Sequence, residues 1–254
     1  MTLEMILLCI VAFAAGFVDA IVGGGGLIQT PAGLVLLPQY SVATVIGTLK
    51  VPAFCGTSIA AVQYSRQVDM NKKLLPLMML LAGAASFAGS YLLTRMSNSF
   101  MKPLLLGVLV AVAIYTYSNK QFGIHAVKTH SVRRQWVYAL LISLLLGLYD
   151  GFIGPGAGSF LILAFISLLG FDFLKASAYA KFVNASTNLG SIVLFAITGK
   201  IIYAIALPMA VCNALGGWLG SRLALLKGNT FIRIFFLVVV CLTIIRFAYD
   251  VFFR

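Results

Sequence analysis

Apolar residues run along this chain in blocks of helix length, and polar residues fall between the blocks or at a few isolated places inside them. Blocks of about 20 residues suit α-helices crossing a hydrocarbon core of about 30 Å, whereas barrel strands would be short and alternating. The pattern predicts a first helix from Leu3 to Val22, broken at Gly23-Gly24-Gly25-Gly26, and then a short apolar piece from Leu27 to Leu37. Eleven residues reach only about 16 Å at a helical rise of 1.5 Å per residue, so this piece either dips into the bilayer or joins a broken helix. After a turn at Pro38-Gln39-Tyr40-Ser41 comes a long run from Val42 to Tyr64, with Lys50 inside it and Pro52 placed to kink it. The basic loop Arg66 to Lys73 leads to two plain spans, Leu74 to Leu93 and Pro103 to Tyr117, joined by the link Thr94 to Lys102.

The programme then repeats. Trp136 to Ile153 precedes a glycine break, Phe160 to Leu169 is short, Gly170-Phe171-Asp172 turns the chain, and spans follow over Ala176 to Ile197, Ile201 to Leu219 and Ile232 to Phe252. At a constant offset of 131 residues, Gly16 meets Gly147, Asp19 meets Asp150, Gly23 meets Gly154, Gly25 meets Gly156 and Lys50 meets Lys181. The correspondence continues into the later spans, where GAASFAGS at Gly83 faces ALGGWLGS at Ala214 and Asn98 faces Asn229. The chain therefore reads as a tandem duplication: a first transmembrane repeat over 1–118, a basic linker over 119–135 and a second repeat over 136–254. The fold class expected is all-α, a polytopic helical membrane protein of two homologous repeats with broken or short helices.

Loop charges bear on orientation, because basic residues collect on the cytoplasmic side. In the first half the successive loops hold three, two and four basic residues, and in the second half one, three and one. The richer loop changes place, as it does when five segments per half put equivalent loops on opposite faces. An inverted repeat, the arrangement of many secondary transporters, is the expectation.

Composition agrees with this and removes alternatives. The chain is 61% hydrophobic and 9% charged, with a mean hydropathy of +1.05, against about 25% charged in ordinary soluble domains. Met5 to Val18 could pass for the core of a signal peptide, but no basic segment precedes it and it recurs internally, so it reads as a retained first helix. The net charge of +12 invites a nucleic-acid reading. The basic residues lie mostly between apolar runs, Arg95, Lys200, Arg222 and Arg246 near predicted ends, which is what topology and lipid headgroups produce, so no nucleic-acid partner is expected. The four cysteines, Cys9, Cys55, Cys212 and Cys241, fall singly, and His125 and His130 sit in the polar linker, so no metal site is expected inside the membrane.

The polar groups inside the apolar runs are costly there, and that cost points to function. Glycine costs about 1 kcal/mol relative to alanine in a helix and proline about 3, so GGGG and GPGAG cannot continue one. Gly23, Gly24, Gly25 and Gly26, with Gly154 and Gly156, then offer either backbone amides to an anion at half-helix N-termini or close packing through small residues. Asp19 and Asp150 each stand four residues before their cluster, where they could cap, support the loop or take up protons. Lys50 and Lys181 lie inside the long helices that follow. Asn184 and Asn188, three and seven residues beyond Lys181, share its helical face, and Ser186, Thr187 and Ser191 add hydroxyls. Snorkelling from a helix end is the plain alternative for Lys50.

At these residues the chain resembles a known family. GFVDAIVGGGGL paired with GLYDGFIGPGAGSF, and TLK paired with AYAKFVNASTN, are similar to the TauE/SafE family of sulfite and organosulfonate exporters, most closely its YfcA-like branch. The resemblance covers nearly the whole chain and implies a secondary carrier of the inner membrane for small, often sulfur-containing anions. Carried over by position, its site would use Asp19, Gly23 to Gly26 and Lys50 with Asp150, Gly154, Gly156, Lys181, Asn184 and Asn188. Relatives usually have Asn before the first motif lysine and Gln two residues after it, where this chain has Leu49 and Pro52.

The expected function is secondary transport of a small anion by alternating access, with membrane lipids around it, protons as a candidate coupling ion, and no cofactor. No nucleotide-binding motif is present in the chain, so the energy would come from gradients. A metal-cation permease and a lipid-translocating protein are the alternatives. An embedded enzyme would need a nucleophile with a base or a metal, and no Ser-His or Cys-His grouping lies in the apolar runs.

Overall fold

A computed structural model describes residues 3–101, 103, 104, 107 and 131–253. Most of the span predicted from Pro103 to Tyr117 and most of the linker, with both histidines, lie outside the described residues.

The glycine clusters and the turn residues divide the chain into a recurring series. α1 spans Leu3–Val22, α2 Gly25–Leu36, α3 Val42–Ser65 and α4 Leu74–Arg95. In the second half α5 spans Val132–Phe152, α6 Ala157–Leu169, α7 Phe173–Ile197 and α8 Tyr203–Phe253, interrupted at Gly228 with φ 68° and ψ −164°. Each half thus runs long, short, long, long, and the described residues contain helices and turns but no strand. Six of the helices, α1, α3, α4, α5, α7 and the part of α8 up to Gly228, are long and apolar enough to cross a membrane.

Several helices start two or three residues earlier than expected, α2 at Gly25, α6 at Ala157 and α7 at Phe173, and two boundaries move further. α5 begins at Val132, taking in Arg133 and Arg134, and α8 runs past Leu219 through Arg222 and Lys227 to Gly228. A helix need not stop where its hydrocarbon-facing part stops, because long basic side chains carry their charge outward while the backbone stays hydrogen-bonded. Arg222, for example, lies over the ring of Trp218 at 5.5 Å. The long third helix of each half starts at a true cap. Ser41 Oγ accepts from the amide of Thr44 at 3.2 Å, and at the offset position Asp172 Oδ1 accepts from the amide of Lys175 at 2.8 Å.

Packing crosses between the halves. α1 lies against α8, α4 against α5, and the third helices α3 and α7 lie against each other. Bare backbone makes the close approaches. A Cβ on Gly16 would fall 2.2 Å from the carbonyl oxygen of Asn213, and one on Gly147 would fall 2.7 Å from that of Ala82. These are the same contact at an offset of 131, as are Gly220 on Phe17 and Gly89 on Leu148. Lipid tails are as apolar as leucine, so helix association in a bilayer relies on such close packing rather than on hydrophobic burial.

Candidate functional site

α1 and α5 end early because their glycine clusters break them. Gly23 takes φ 76°, and Gly154 and Gly156 take φ 92° and φ 84°, left-handed conformations that cost other residues about 1–2 kcal/mol. The two breaks cross. A Cβ on Gly23 would stand 2.3 Å from the carbonyl carbon of Gly158, so the backbones touch where the halves meet. Ser159 Oγ donates to the carbonyl of Val22 at 2.9 Å across the same junction, and the hydroxyl of Tyr149 braces the second break on the carbonyl of Pro155 at 2.7 Å.

Each break also leaves two helix ends of opposite polarity. The C-terminal ends of α1 and α5 favour a cation, and the N-terminal ends of α2 and α6, worth about half a positive charge each, favour an anion. The lysines meet the first need by exchange between halves. Lys181 of α7 donates to the backbone carbonyl of Asp19 and lies 3.1 Å from Asp19 Oδ2. Lys50 of α3 donates to the backbone carbonyl of Asp150 at 2.9 Å and lies 2.9 Å from Asp150 Oδ1. Each aspartate is therefore paired with the other half's lysine. Neither caps a short helix, for the N-cap residues of α2 and α6 are Gly24 and Gly156, without a side-chain cap.

Around these pairs lies a cavity of about 60 Å³, lined by residues of seven helices, α1 to α3 and α5 to α8. A site needs at least about 10–15 Å³ by this measure to hold one water, so there is room for a small anion of a few heavy atoms. Of the residues the sequence singles out, Asp19, Gly23, Gly25, Gly26, Lys50, Asp150, Gly154, Gly156, Asn184 and Asn188 line it. Gly24 and Lys181 do not. Lys181 is fully enclosed, at 0% exposure, behind Asp19. Snorkelling is not what Lys50 does, since it is buried and turned inward to Asp150.

Four further polar residues reach the cavity: Gln29, Thr30, Thr57 and Asn213. Asn213 Nδ2 donates to Gln29 Oε1 at 2.9 Å, and Gln29 Nε2 donates to the carbonyl of Leu49 at 3.0 Å, which ties α8, α2 and α3 together. Thr57 Oγ donates to Asp19 Oδ2 at 3.1 Å. The repeat contains the signal for Thr57, which stands 131 residues before Asn188, as Ala53 stands before Asn184. Gln29 and Asn213 have no such counterpart, since Phe160 and Ala82 occupy the matching positions. The Thr187 hydroxyl donates to the backbone carbonyl of Asn184 at 2.8 Å and lies 3.3 Å from its Oδ1.

A larger groove of about 600 Å³ lies between α3 and α8, apart from the cavity, with Gln63, Arg66, Trp218 and Arg222 among its walls.

Comparison with known proteins matches residues 8–247 to the family model described as "Sulfite exporter TauE/SafE". A Sinorhizobium protein described as "Probable membrane transporter protein ORF9" is 36% identical over 245 residues, 96% of this chain and 92% of that one. The Escherichia coli K12 protein "Probable membrane transporter protein YfcA" is 35% identical over 247 residues, 94% of this chain and 88% of that one. A "Probable membrane transporter protein" of Haemophilus influenzae is 34% identical over 245 residues, 96% of this chain and 94% of that one. No solved structure gives a match.

Proposed function

From the premise that this chain belongs to the TauE/SafE family, and is a multi-pass membrane transporter rather than an enzyme, we propose that it carries a small anion through the central cavity by alternating access. Sulfite is the anion in the name of the family, and sulfite together with small organosulfonates, which carry a similar oxyanion head, is the class we assign. The observation that carries this reading is the pair of uncapped helix N-termini at one cavity: Gly25 and Gly26 of α2, with Gly156 to Gly158 at the start of α6, all line it. The first amides of a helix have no partner within it; those of Leu27 and Ala157 turn back on the carbonyls of Gly24 and Gly154, and the others need a partner at membrane depth.

Donors surround that point. Lys50, Asn184 and Asn188 line the same cavity as the helix ends, and a planar or tetrahedral oxyanion accepts from several directions at once. Exchange of partners between the two halves supports rocking of one repeat against the other, because the site is assembled only where they meet. An inverted relation of the repeats suits that motion and the loop charges.

Lys50 is the lysine of choice for the anion, since it lines the cavity and Lys181 does not. The test is uptake of sulfite, thiosulfate, sulfoacetate and simple carboxylates into proteoliposomes, wild type beside Lys50→Met. Saturable flux of a sulfur oxyanion, lost in a variant that still purifies as folded protein, is the expected result. Movement of metal or lipid with no anion flux would overturn the reading. In that case the groove with Arg66 and Arg222 becomes the place to look for a headgroup path.

A further inference from the structure

The charges around the cavity cancel. Asp19 with Lys181 and Asp150 with Lys50 make two ion pairs, and among the described residues no other ionisable carboxylate, lysine, arginine or histidine lines it. An anion entering such a place leaves one negative charge uncompensated in a medium of low dielectric, which is costly. It also has to compete with Asp150 for Lys50. Both difficulties vanish if one proton enters with the anion and rests on Asp150.

Asp150 is built to receive it. Its Oδ1 is held by Lys50, while its Oδ2 is buried with no hydrogen-bond partner among the described residues. An ionised carboxylate oxygen without a donor is expensive at such a depth, and protonation removes the charge that makes it so. Asp19 differs: its Oδ2 takes donors from both Thr57 and Lys181, and its side chain is the more open of the two, 13% exposed against 5% for Asp150. Resting on the anion reading above, we propose that Asp150 Oδ2 is the proton site of a one-proton, one-anion symport.

The groups around it leave that assignment clear. α3 brings Lys50, and α1 brings Asp19 across the cavity. α7 brings the neutral Asn184 and Asn188, its Lys181 being tied to Asp19. α4 brings the hydroxyls of Ser86 and Ser90, the latter on the carbonyl of Gly151, while its Arg95 is exposed and held by Tyr91. On α5 itself the neighbouring Tyr149 has its hydroxyl committed to Pro155, and α6 brings no ionisable side chain of Asp, Glu, Lys or Arg. A metal cation on Oδ2 would sit beside the Lys50 ammonium and be repelled by it.

In the step itself, a proton from water on the more acidic side binds Oδ2. Asp150 becomes neutral and releases its charge hold on Lys50, which remains an ammonium and turns that charge to the anion. When the anion leaves on the other side, the proton returns to water there and the Lys50–Asp150 pair closes. One proton and one anion cross, and no bond in the anion is made or broken.

The test uses methanesulfonate, a monoanion that carries no proton of its own near neutral pH, in proteoliposomes clamped at zero membrane potential. With the lumen one pH unit more alkaline, wild type should accumulate methanesulfonate to about tenfold, since one unit of pH is a factor of ten in proton activity. Asp150→Asn, which copies the protonated side chain, should exchange the anion but only to an internal-to-external ratio of one. A wild-type ratio of one with exchange intact, or accumulation driven by sodium in place of the pH gradient, overturns the proposal.

A second readout follows the proton itself. Infrared difference spectra of wild type on adding methanesulfonate should gain a protonated-carboxyl band, absent in Asp150→Asn and retained in Asp69→Asn, which changes an exposed loop residue. Absence of any anion flux overturns the anion reading, and anion flux in wild type without the band overturns the proton site.

Discussion

Asp19 with Lys181 and Asp150 with Lys50 are two ion pairs whose aspartates, like their lysines, stand 131 positions apart, yet the two pairs have different surroundings. In the first, the lysine is wholly enclosed, and Asp19 Oδ2 accepts from Thr57 and from Lys181. In the second, both partners line the cavity, and one carboxylate oxygen of Asp150 has no partner among the described residues. The difference arises a helical turn or two away. Thr57 stands where the second half has Asn188, and it spends its hydroxyl on Asp19. The same residue types, 131 positions apart, thus meet different hydrogen-bonding partners.

The largest expected effect comes from breaking the enclosed pair at one end. Lys181→Met leaves Asp19 charged and half-buried, and removing one partner of a buried pair costs about 3–5 kcal/mol. Thermal unfolding of detergent-purified protein should show a large loss, and adding Asp19→Asn should recover much of it, because a neutral isosteric pair replaces a charged one. If Lys50→Met lowers stability by as much as Lys181→Met, the two pairs are not distinct in the way described. Lys50→Met should cost less, since Asp150 can be neutralised by a proton.

Next in size is the crossing that holds both pairs. Gly23→Ala meets the carbonyl of Gly158 and a backbone φ of 76°, so its cost should exceed the about 1–2 kcal/mol of left-handed backbone alone. Yield of monodisperse protein reads this, and a normally behaved alanine variant would remove the crossing from the account. A smaller effect belongs to the neutral donors. Asn184→Ala and Asn188→Ala should each weaken apparent anion affinity by about twofold to tenfold, the worth of a hydrogen bond of about 0.5–1.5 kcal/mol, with little change in unfolding temperature. Thr57→Val should be the mildest, a small loss of stability from one donor to Asp19; loss of transport there would mean that Asp19 takes part in binding.

Much of this was legible from residue order, and the limit has a physical cause. α1 ends where the glycine break puts it, at Val22, because such a break is a local property. The glycine breaks and the offset of 131 residues singled out Asp19, Lys50, Asp150 and Lys181 together. Which lysine meets which aspartate was not legible. The alignment sets aspartate against aspartate and lysine against lysine, and the pairs form across 162 and 100 residues of chain. Nor did spacing identify Gln29 and Asn213, whose partnership exists only once α2 and α8 lie together. Gly23 shows the same limit: its left-handed backbone belongs to the local break, while its contact with Gly158 belongs to tertiary packing.

The most direct test of the division between the pairs removes each as a unit, so that no orphan charge is left behind. Thiosulfate uptake per folded protein would be measured for Asp19→Asn/Lys181→Met and for Lys50→Met/Asp150→Asn. The first should still transport, at a reduced yield of folded protein, and the second should fold but move no anion. Transport surviving in the second and lost in the first would contradict the account and make the enclosed pair the working one.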